Sequence, residues 1–414
     1  MEVQKKALSI VRTLRDAGFI AYFAGGWVRD KIMGSESDDI DIATDASPDE
    51  ILKLFSKTVK VGVSFGVVVV LLDGDQFEVA TFRKDIAYTN GRTPTEIEFC
   101  SPKEDALRRD FTINGLFYDP ITDETFDYVE GIADIGAKII RTIGNPRDRF
   151  IEDRLRMVRA FRFASRLGFS IDSETSRAIF EHADTLFPSV SPERIWQEFT
   201  KMAKFPGFGE AFIEMQRCGL LSVIFPELKG ISPEEIADRV AFFSRFPSGS
   251  PAILYLVQLF PEAIKEEMFA LARYLRTSKN EIRYIETYFE AKKLVSEEKE
   301  GRLDPVAWVH YFAGKNPLLF LEIIAANLPE HERENSRRLY IERVQNFEKH
   351  IQRIVEGKPL VTGKLLQDSG IAPGEKMGRL LEEAERFSIV EDIHDTEKVL
   401  NYLKTVTLWE KKSL

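Results

Sequence analysis

The sequence predicts an α+β protein in which a small mixed α/β domain precedes a long helical remainder. Before about residue 120, short segments of strand type alternate with glycine turns and short helical patterns. After about residue 140 the strand signals fade, and helical periodicity continues through the rest of the chain. A chain of 414 residues is too long for one hydrophobic core, so we expect two to four domains.

The elements of the first part follow from residue spacing in chain order. Predicted strands cover 19–24, 39–42, 67–72 and 76–81, and predicted helices cover 3–14 and 27–33 and start at Ser47 and Ser101. Both serine starts are capping boxes, with proline at the first helical position and glutamate at the third. The last two strands are joined through Asp73-Gly74-Asp75, which indicates a hairpin.

Composition limits the classes of protein to which the chain can belong. Hydrophobic residues make up 44% and charged residues 30%, as is ordinary for globular proteins. The longest apolar runs, such as Val67–Leu72, are far below the ~20 residues that span a bilayer, and the charged N-terminus predicts no signal peptide. Cys100 and Cys218 lack metal-ligand spacing, which fits a reducing cytoplasm. The net charge of −10 disfavours nucleic acid mildly, but local basic patches decide such binding.

The strongest local signal for chemistry is Asp39-Ile40-Asp41. On a strand, residues i and i+2 share a face, so the two carboxylates project together. Adjacent carboxylates repel each other unless a cation lies between them, and their hard oxygen atoms suit Mg²⁺. Glu78, on the predicted hairpin strand, is a candidate third carboxylate. The alternatives are a solvated polar strand edge for the pair and a structural ion pair for Glu78.

Gly25-Gly26 lies about a dozen residues earlier and precedes a predicted short helix. Glycine lets backbone N–H groups approach phosphate oxygens closely, and Arg29, one turn into the helix, is placed to neutralise phosphate charge. An ordinary turn is the alternative for a glycine pair alone. The order of glycine pair, helix, strand and paired carboxylates favours a site for a nucleotide and a metal.

Two arginine-rich segments follow. The first, Arg108–Asn114, offers guanidinium groups and an amide to a ribose or triphosphate. The second, Arg147–Arg159, is predicted to be helical, with Asp153 and Arg156 aligned at i and i+3. Arg159 shares a helix face with Arg156. Ion pairs on a solvated helix surface are the alternative interpretation of both segments.

Five stretches resemble, in order and spacing, the class II tRNA nucleotidyltransferases and bacterial poly(A) polymerases of the polymerase β superfamily. They are GGWVRDKIMG with DDIDIAT, RRDFTING, IGNPRDRFIEDRLRMVRAFRF, SPERIW, and the tail VTGKLLQDSGIAPGEKMGRLLEEAERFSIVEDI. The resemblance is dense over about residues 19–200 and returns at about 360–404. It implies a polymerase β-like nucleotidyltransferase head with a mixed sheet (1–140), a helical neck with a base-templating motif (141–205), and a helical, tRNA-binding body and tail (206–414).

The resemblance also implies roles for single residues. Metal-binding and catalytic roles fall on Asp39 and Asp41, with two Mg²⁺ ions expected and Glu78 as an additional metal candidate. Nucleotide-binding roles fall on Gly25, Gly26 and Arg29 for phosphate, on Arg109, Asp110 and Asn114 for ribose, and on Asp153, Arg156 and Arg159 in the segment of the E-D-x-x-R motif. In that motif, which starts at Glu152, Asp153 and Arg156 act as an amino-acid template for the incoming base.

Hydrogen-bonding chemistry makes such a template sensible. Cytosine and adenine each present an exocyclic amine beside a ring-nitrogen acceptor, whereas guanine and uracil present a carbonyl and a ring N–H. An aspartate only accepts and an arginine only donates, so one fixed pair fits C and A and opposes G and U. The mismatch costs ~2–4 kcal/mol, on the order of 30- to 1000-fold selection.

The resemblance therefore implies a template-independent RNA 3′-end nucleotidyltransferase that adds CCA to tRNA from CTP and ATP and releases pyrophosphate. Its expected partners are the tRNA 3′ end, CTP and ATP, with neither a membrane nor DNA, in the cytoplasm. The alternatives within the family are A-only addition and poly(A) synthesis. The segment Arg83–Phe99 matches the family's flexible loop, which CC-only members have shortened. A catalytically inactive RNA-binding protein and a small-molecule nucleotidyltransferase are alternatives of other classes.

His394-Asp395 is an HD dipeptide of the type found in phosphohydrolase domains of some relatives. The sequence shows no matching His and Asp partners around it. We therefore predict no hydrolase activity.

Overall fold

The computed structural model describes residues 2–60, 66–89 and 93–410. It divides into two compact units, Met1–Val240 with Tyr274–Arg276, and Ala241–Arg273 with Thr277–Leu414. The predicted α+β class is confirmed, because a mixed sheet occupies the start of the first unit and helices dominate after it. Among the described residues, no helix is both long enough and apolar enough to cross a membrane. The borders predicted at residues 140 and 205 fall inside the first unit and stay predictions.

The sheet-forming part of the first unit alternates short strands and short helices. Its strands are β1 (Ala21–Ala24), β2 (Asp41–Thr44), β3 (Thr58–Val59), β4 (Val67–Leu72), β5 (Asp75–Thr81), β6 (Arg83–Thr89), β7 (Thr93–Phe99), β8 (Leu116–Asp119) and β9 (Glu124–Asp127). Its helices are α1 (Glu2–Asp16), α2 (Gly26–Ile32), α3 (Pro48–Leu54), α4 (Pro102–Arg108) and α5 (Gly131–Ala137).

Seven of these strands form one sheet in the order β3-β4-β5-β2-β1-β8-β9. Neighbouring strands are antiparallel except β2 and β5, which run parallel. The register pairs Ala24 with Asp41 and Ile42 with Val79. Asp41 therefore lies at one end of β2, beside the end of β1 and close to Glu78 on β5.

The predictions for this part that rest on helix-capping and turn residues are confirmed. Ser47 and Ser101 each accept the amide of the third helical residue in complete capping boxes, and β4 and β5 form the predicted hairpin. Strands β3, β8 and β9 lack a counterpart in the sequence prediction. β8 is buried at all four positions, so it lacks the polar alternation that marks a half-buried strand.

The segment Arg83–Phe99 forms an antiparallel two-stranded ribbon, β6 with β7. Residues 90–92 lie outside the described residues. The ribbon contains an irregular register between Asp85 and Tyr88. Its match to the flexible loop of the family stays a prediction.

The rest of the first unit is almost wholly helical. It contains β10 (Ile139–Ile140), α6 (Pro146–Glu152), α7 (Leu155–Leu167), β11 (Ser170–Ile171), α8 (Ser173–His182), α9 (Pro192–Met202), α10 (Phe208–Arg217), α11 (Leu220–Ile224) and α12 (Pro233–Val240). β10 and β11 form a small parallel pair.

The prediction of one helix across Arg147–Arg159 is wrong. The chain leaves the helix after Glu152, and Asp153 adopts an extended conformation with φ −144° and ψ 102°. Its Oδ1 accepts the N–H of Leu155 at 3.0 Å, which satisfies a free amide at the start of the next helix. An aspartate that competes with the backbone in this way ends α6 and starts α7.

The second unit is helical throughout the residues that the structure describes. Its helices are α13 (Ala252–Leu259), α14 (Lys265–Tyr274), α15 (Lys279–Lys299), α16 (Pro305–Phe312), α17 (Pro317–Ala325), α18 (Glu330–Asn346), α19 (Glu348–Glu356), α20 (Gly363–Asp368), α21 (Glu375–Val390), α22 (Thr396–Thr405) and α23 (Thr407–Glu410). Their last part packs around a cluster that includes Leu366, Leu380 and Leu403, each 0% exposed.

Candidate active site

The predicted carboxylate pair lies at the start of β2. Ile40 and Ile42 are buried, whereas Asp39 and Asp41 are exposed. This alternation is the one expected for i and i+2 residues on a common face, although the strand itself begins at Asp41.

The surroundings of Asp41 disfavour its ionised form. Its pKa rises to about 6, first because the surrounding protein displaces water and then because Asp39 and Glu78 add negative charge. The positive charge of Arg109 lowers the same pKa and so opposes the other effects. Two carboxylates and one guanidinium therefore act on Asp41 at this edge of the sheet.

The donor set is suited to a hard divalent cation, because it consists of carboxylate oxygens only. A cation would relieve the repulsion that raises the pKa of Asp41. Asp39, Asp41 and Glu78 do not bring one oxygen each within 4.8 Å of one another. Asp39 and Asp41 stay the predicted ligand pair, Glu78 stays a predicted third carboxylate, and the charges of Asp39 and Glu78 act on Asp41.

The glycine pair begins α2 as predicted. Gly25 caps the helix with φ 66° and ψ −126°, a conformation that residues with a side chain avoid. A Cβ atom on Gly25 would lie 3.2 Å from Nη1 of Arg109, and one on Gly26 would lie 3.6 Å from Nη2 of Arg29. The absence of side chains therefore keeps open the space beside two guanidinium groups.

Arg29 faces inward rather than toward solvent. It is 1% exposed, and its Nε and Nη2 donate to Oδ1 of Asp30 at 2.8 and 2.7 Å. Its Nη1 donates to Oδ1 of Asn114 at 2.7 Å. Burial lowers the pKa of Arg29, and the charge of Asp30 opposes this effect. The guanidinium thus orients the Asn114 amide.

Asn114 and Asp110 extend this chain of contacts from the sheet-forming part to α7. Nδ2 of Asn114 donates to Oδ1 of Asp110 at 3.2 Å, and Nε of Arg159 donates to Oδ2 of Asp110 at 2.9 Å. Burial alone would raise the pKa of Asp110, but Arg159 and Asn114 outweigh it and hold the pKa below its usual range. Asp110 is therefore a firmly ionised link between Asn114 and Arg159.

Arg109 lies between this chain and the carboxylate edge. Its Nε and Nη2 donate to Oδ2 of the buried Asp105 at 3.1 and 3.0 Å, and its Nη1 donates to the carbonyl of Asn114 at 3.2 Å. The guanidinium carbon also lies 4.8 Å from the ring centre of Phe117. These contacts fix the side chain while its charge still acts on Asp41.

Of the proposed template residues, Asp153 lies in the break between α6 and α7, and Arg156 lies in the first turn of α7. Arg156 is 8% exposed, and its Nη1 donates to Oε2 of Glu152 at 2.8 Å and to the carbonyl of Arg149 at 3.0 Å. Oδ2 of Asp153 lies 3.7 Å from Nη2 of Arg194. Arg156 is thus packed inside the protein, and the alternative of a solvated surface ion pair is wrong for it.

Sequence reasoning missed the residues that hold these side chains in place. Asp30, Asp105 and Arg149 are buried charged residues, and Nη2 of Arg149 donates to the carbonyl of Arg109 at 2.6 Å. Nη2 of Arg166 donates to Oδ2 of Asp30 at 2.8 Å. Asp30 and Arg149 lie inside the recognised stretches but beside other charged residues, so no local pattern distinguished them.

Family models match three successive parts of the chain. The poly(A) polymerase head domain matches residues 21–141, the RNA and SrmB-binding site of polymerase A matches 168–231, and tRNA nucleotidyltransferase domain 2 matches 251–403. The first match contains the glycine pair, the carboxylates and the segment up to Asn114.

Whole-chain comparisons agree with these matches. The CCA-adding enzyme of Ligilactobacillus salivarius is 34% identical over 408 residues, covering 96% of this chain and 95% of that protein. The Bacillus stearothermophilus CCA-adding enzyme in complex with CTP is similar in structure, with a TM-score of 0.79, 26% identity and 98% coverage of each chain. The Thermotoga maritima CCA-adding enzyme complexed with tRNA shares the fold, with a TM-score of 0.67 at 20% identity, covering 97% of this chain and 95% of that one.

Near-complete coverage at more than 30% identity extends the likeness beyond the head to the helical units. The predicted resemblance is confirmed, and the enzyme class with it. This chain belongs to the family of CCA-adding enzymes, which are tRNA nucleotidyltransferases.

Proposed function

We propose that this enzyme adds C, C and A in turn to the 3′ end of tRNA, from CTP and ATP and with release of pyrophosphate. The observation that carries the proposal is the position of residues 108–114. Arg109 acts on Asp41 at the sheet edge, while Asp110 binds Arg159 on α7. One short segment thus connects the carboxylate edge, to which we assign catalysis, with the helices to which we assign base selection.

The family uses a divalent metal, and Asp39 and Asp41 would hold it here. We propose Mg²⁺ as the ion, because oxygen-only donors suit this cation. We propose two ions, because a pair can hold both the attacking and the leaving oxygen. A bound ion supplies a Lewis acid for the α-phosphate and for charge on the leaving pyrophosphate. In the reaction the tRNA 3′-hydroxyl loses its proton to water as its oxygen bonds to the α-phosphorus, and the bond between that phosphorus and the pyrophosphate oxygen breaks.

The chain's own groups orient the nucleotide. Gly25 and Gly26 leave room for phosphate oxygens beside Arg109, which supplies positive charge that Asp105 and Asn114 hold in place. Asn114 and Asp110 form the ribose side of the site. Arg29 belongs to the site as a positioning residue, because its contacts orient Asn114.

Base choice falls to Asp153 and Arg156, with Arg159 anchoring the neighbouring Asp110. An acceptor-only and a donor-only group fit the matching edges of cytosine and adenine. The contacts of Arg156 with Glu152 and backbone carbonyls hold its guanidinium in one orientation. A fixed donor selects bases better than a mobile one, because no ordering entropy is lost on binding.

We further propose the division into a head (1–140), a neck (141–205) and a tRNA-binding body and tail (206–414). The successive family matches support it, since they change near residues 141 and 168. The cytoplasm, where tRNA is matured, is the proposed compartment.

The decisive experiment uses tRNA transcripts that lack none, one, two or three terminal nucleotides, incubated with CTP and ATP separately and together. We expect two cytidines on the transcript lacking three nucleotides, one adenosine on the transcript ending in CC, and nothing on the complete tRNA. Extension by ATP alone of only the CC-ending transcript would indicate an A-adding enzyme. Long adenosine tracts on unstructured RNA would indicate a poly(A) polymerase.

A further inference from the structure

Three side chains of the second unit bring potential metal ligands together. His350 lies on α19, and Asp392 and His394 lie between α21 and α22. One ligand atom from each lies within 4.8 Å of the others, and no other set of three His, Cys, Asp or Glu residues meets this condition within residues 2–60, 66–89 and 93–410. Oδ1 of Asp392 is 3.0 Å from Nε2 of each histidine.

The backbone holds this arrangement across a long separation in sequence. His350 is 1% exposed, so its ring is fixed by packing. Asp392 adopts a left-handed conformation with φ 51°, and the next amide, of Ile393, donates to the carbonyl of Ser388 at 2.8 Å. The turn after α21 thus aims Asp392 and His394 at a buried imidazole.

We propose that His350, Asp392 and His394 bind one zinc-class transition-metal ion. Two imidazole nitrogens and one carboxylate oxygen are the donors that zinc accepts, at ~2.0–2.2 Å in tetrahedral geometry. Such bonds place ligand atoms about 3.3 Å apart, close to the 3.0 Å found between Asp392 and each histidine. Asp392 is exposed, so water can take the fourth position.

Arg353 controls access to this site. Its Nη2 contacts Nδ1 of His350, and its Nη1 lies 3.1 Å from Nδ1 of His394. Because arginine only donates, these contacts hold the proton of each neutral imidazole on Nε2, the atom that faces Asp392. A metal needs Nε2 free and the proton on Nδ1, which would then oppose the guanidinium.

Metal binding therefore requires Arg353 to move away. A cavity of about 220 Å³ beside it is lined by Arg353, Glu385 and Ser388, and the negative charge of Glu385 acts favourably on Arg353. The guanidinium has both space and a counter-charge on that side. Arg353 and a metal ion thus compete for the same two imidazoles.

The test is calorimetric titration of the full chain with Zn²⁺ in excess Mg²⁺, with Co²⁺ absorption as a second readout of coordination. We expect binding of one Zn²⁺ that His394→Ala and Asp392→Asn each weaken at least about tenfold. Arg353→Ala should tighten binding, because it removes the competing donor and a repelling charge. His331→Ala, which changes an exposed histidine, should leave binding unchanged, and Asp41→Ala identifies any ion taken by the head carboxylates.

Thermal unfolding gives an independent readout, since an ion that joins α19 to the turn after α21 stabilises the folded chain. Zn²⁺ should raise the Tm of the wild type and of His331→Ala but not of His394→Ala. The proposal is overturned if His394→Ala binds Zn²⁺ as tightly as the wild type, or if Arg353→Ala binds no more tightly. Variants of the exposed residues serve here because replacing the buried His350 could unfold the chain.

Discussion

The carboxylate edge of the sheet and the joint between α6 and α7 use the same charged residue types in opposite ways. At the edge, Asp39, Asp41 and Glu78 are exposed, and Asp39 and Glu78 repel Asp41, with Arg109 as the opposing charge. Near the joint, Arg156 pairs with Glu152 and Asp110 pairs with Arg159. In the first region like charges lie close together, whereas in the second each of these two groups has an oppositely charged partner.

This difference separates chemistry from recognition. The unbalanced negative charge at the edge is available to bind a cation. Charge that is fully paired near the joint is rigid and keeps donors and acceptors in fixed positions. Substitutions should therefore affect turnover in the first region and stability or base choice in the second.

The largest effect should follow from removing a carboxylate of the edge. Asp39→Ala or Asp41→Ala should lower single-turnover incorporation of CMP at least about a hundredfold, as for loss of an electrostatic stabiliser at the reacting centre. Binding of tRNA and the Tm should change little, because both side chains are exposed. Asp38→Ala, which removes the adjacent exposed carboxylate, is the matched control and should retain activity. Near-normal turnover by both variants in excess Mg²⁺ would rule out the metal assignment.

The second effect concerns stability. Asp110→Asn preserves the shape of the side chain but leaves Arg159 without its counter-charge. The free energy of unfolding in urea should therefore fall by about 2 kcal/mol. This is less than the ~3–5 kcal/mol expected for breaking a fully buried pair, because Arg159 is half-buried. The folded pKa of Asp110 lies below the unfolded value of ~3.9. The stabilising contribution is therefore complete above that value and is lost as pH falls below it. If the difference in the free energy of unfolding between wild type and variant changed between pH 5 and pH 8, the titration of Asp110 would not be its origin.

Base choice should respond to Asp153. Asp153→Ala removes the acceptor for the exocyclic amine, so discrimination between CTP and UTP should fall by about 2 kcal/mol, or thirtyfold. The measurement is kcat/KM for both nucleotides on one tRNA. Asp148→Ala, which changes an exposed carboxylate on α6, is the control for general effects of charge. A uniformly slow variant with an unchanged ratio would mean that Asp153 only caps α7 and pairs with Arg194.

The smallest effect tests the glycine pair. Gly25→Ala and Gly34→Ala both place a side chain on a backbone with positive φ, which costs on the order of 1–2 kcal/mol of stability. Only at Gly25 does the new Cβ also meet Arg109, whereas nothing lies within 4 Å at Gly34. The KM for CTP should therefore rise about fivefold, or ~1 kcal/mol, in the first variant alone. An equal rise in both would assign the effect to backbone strain.

Sequence patterns predicted the parts of this fold that depend on local chemistry. The capping boxes at Ser47 and Ser101 and the hairpin after Leu72 follow from a few adjacent residues. The buried strand β8 and the break at Asp153 depend on partners distant in sequence, so local periodicity could not specify them. The same limit hid the contact of His350 with His394, which are joined only by the packing of α19 against the turn after α21.

In the candidate site too, local features could be predicted from the sequence, whereas features that depend on distant residues could not. Spacing predicted that Asp39 and Asp41 share a strand face and that Gly25-Gly26 precedes a short helix. It could not show that Arg29 points inward to Asn114, because burial of a guanidinium depends on Asp30 and Arg166. The template role of Asp153 and Arg156 stays a prediction that the experiment above decides.

A row of hydrogen bonds runs from Asp30 through Arg29, Asn114 and Asp110 to Arg159. This row restricts how these residues can change in evolution. Each member satisfies the hydrogen-bonding groups of the next, so a change at one position leaves a buried polar group unsatisfied at another. Single substitutions along the row are then individually harmful, and only paired changes restore the loss. We expect related sequences to vary at these five positions together or to retain all of them. Domain exchange between distant relatives should succeed only when the exchanged segment carries both ends of the row.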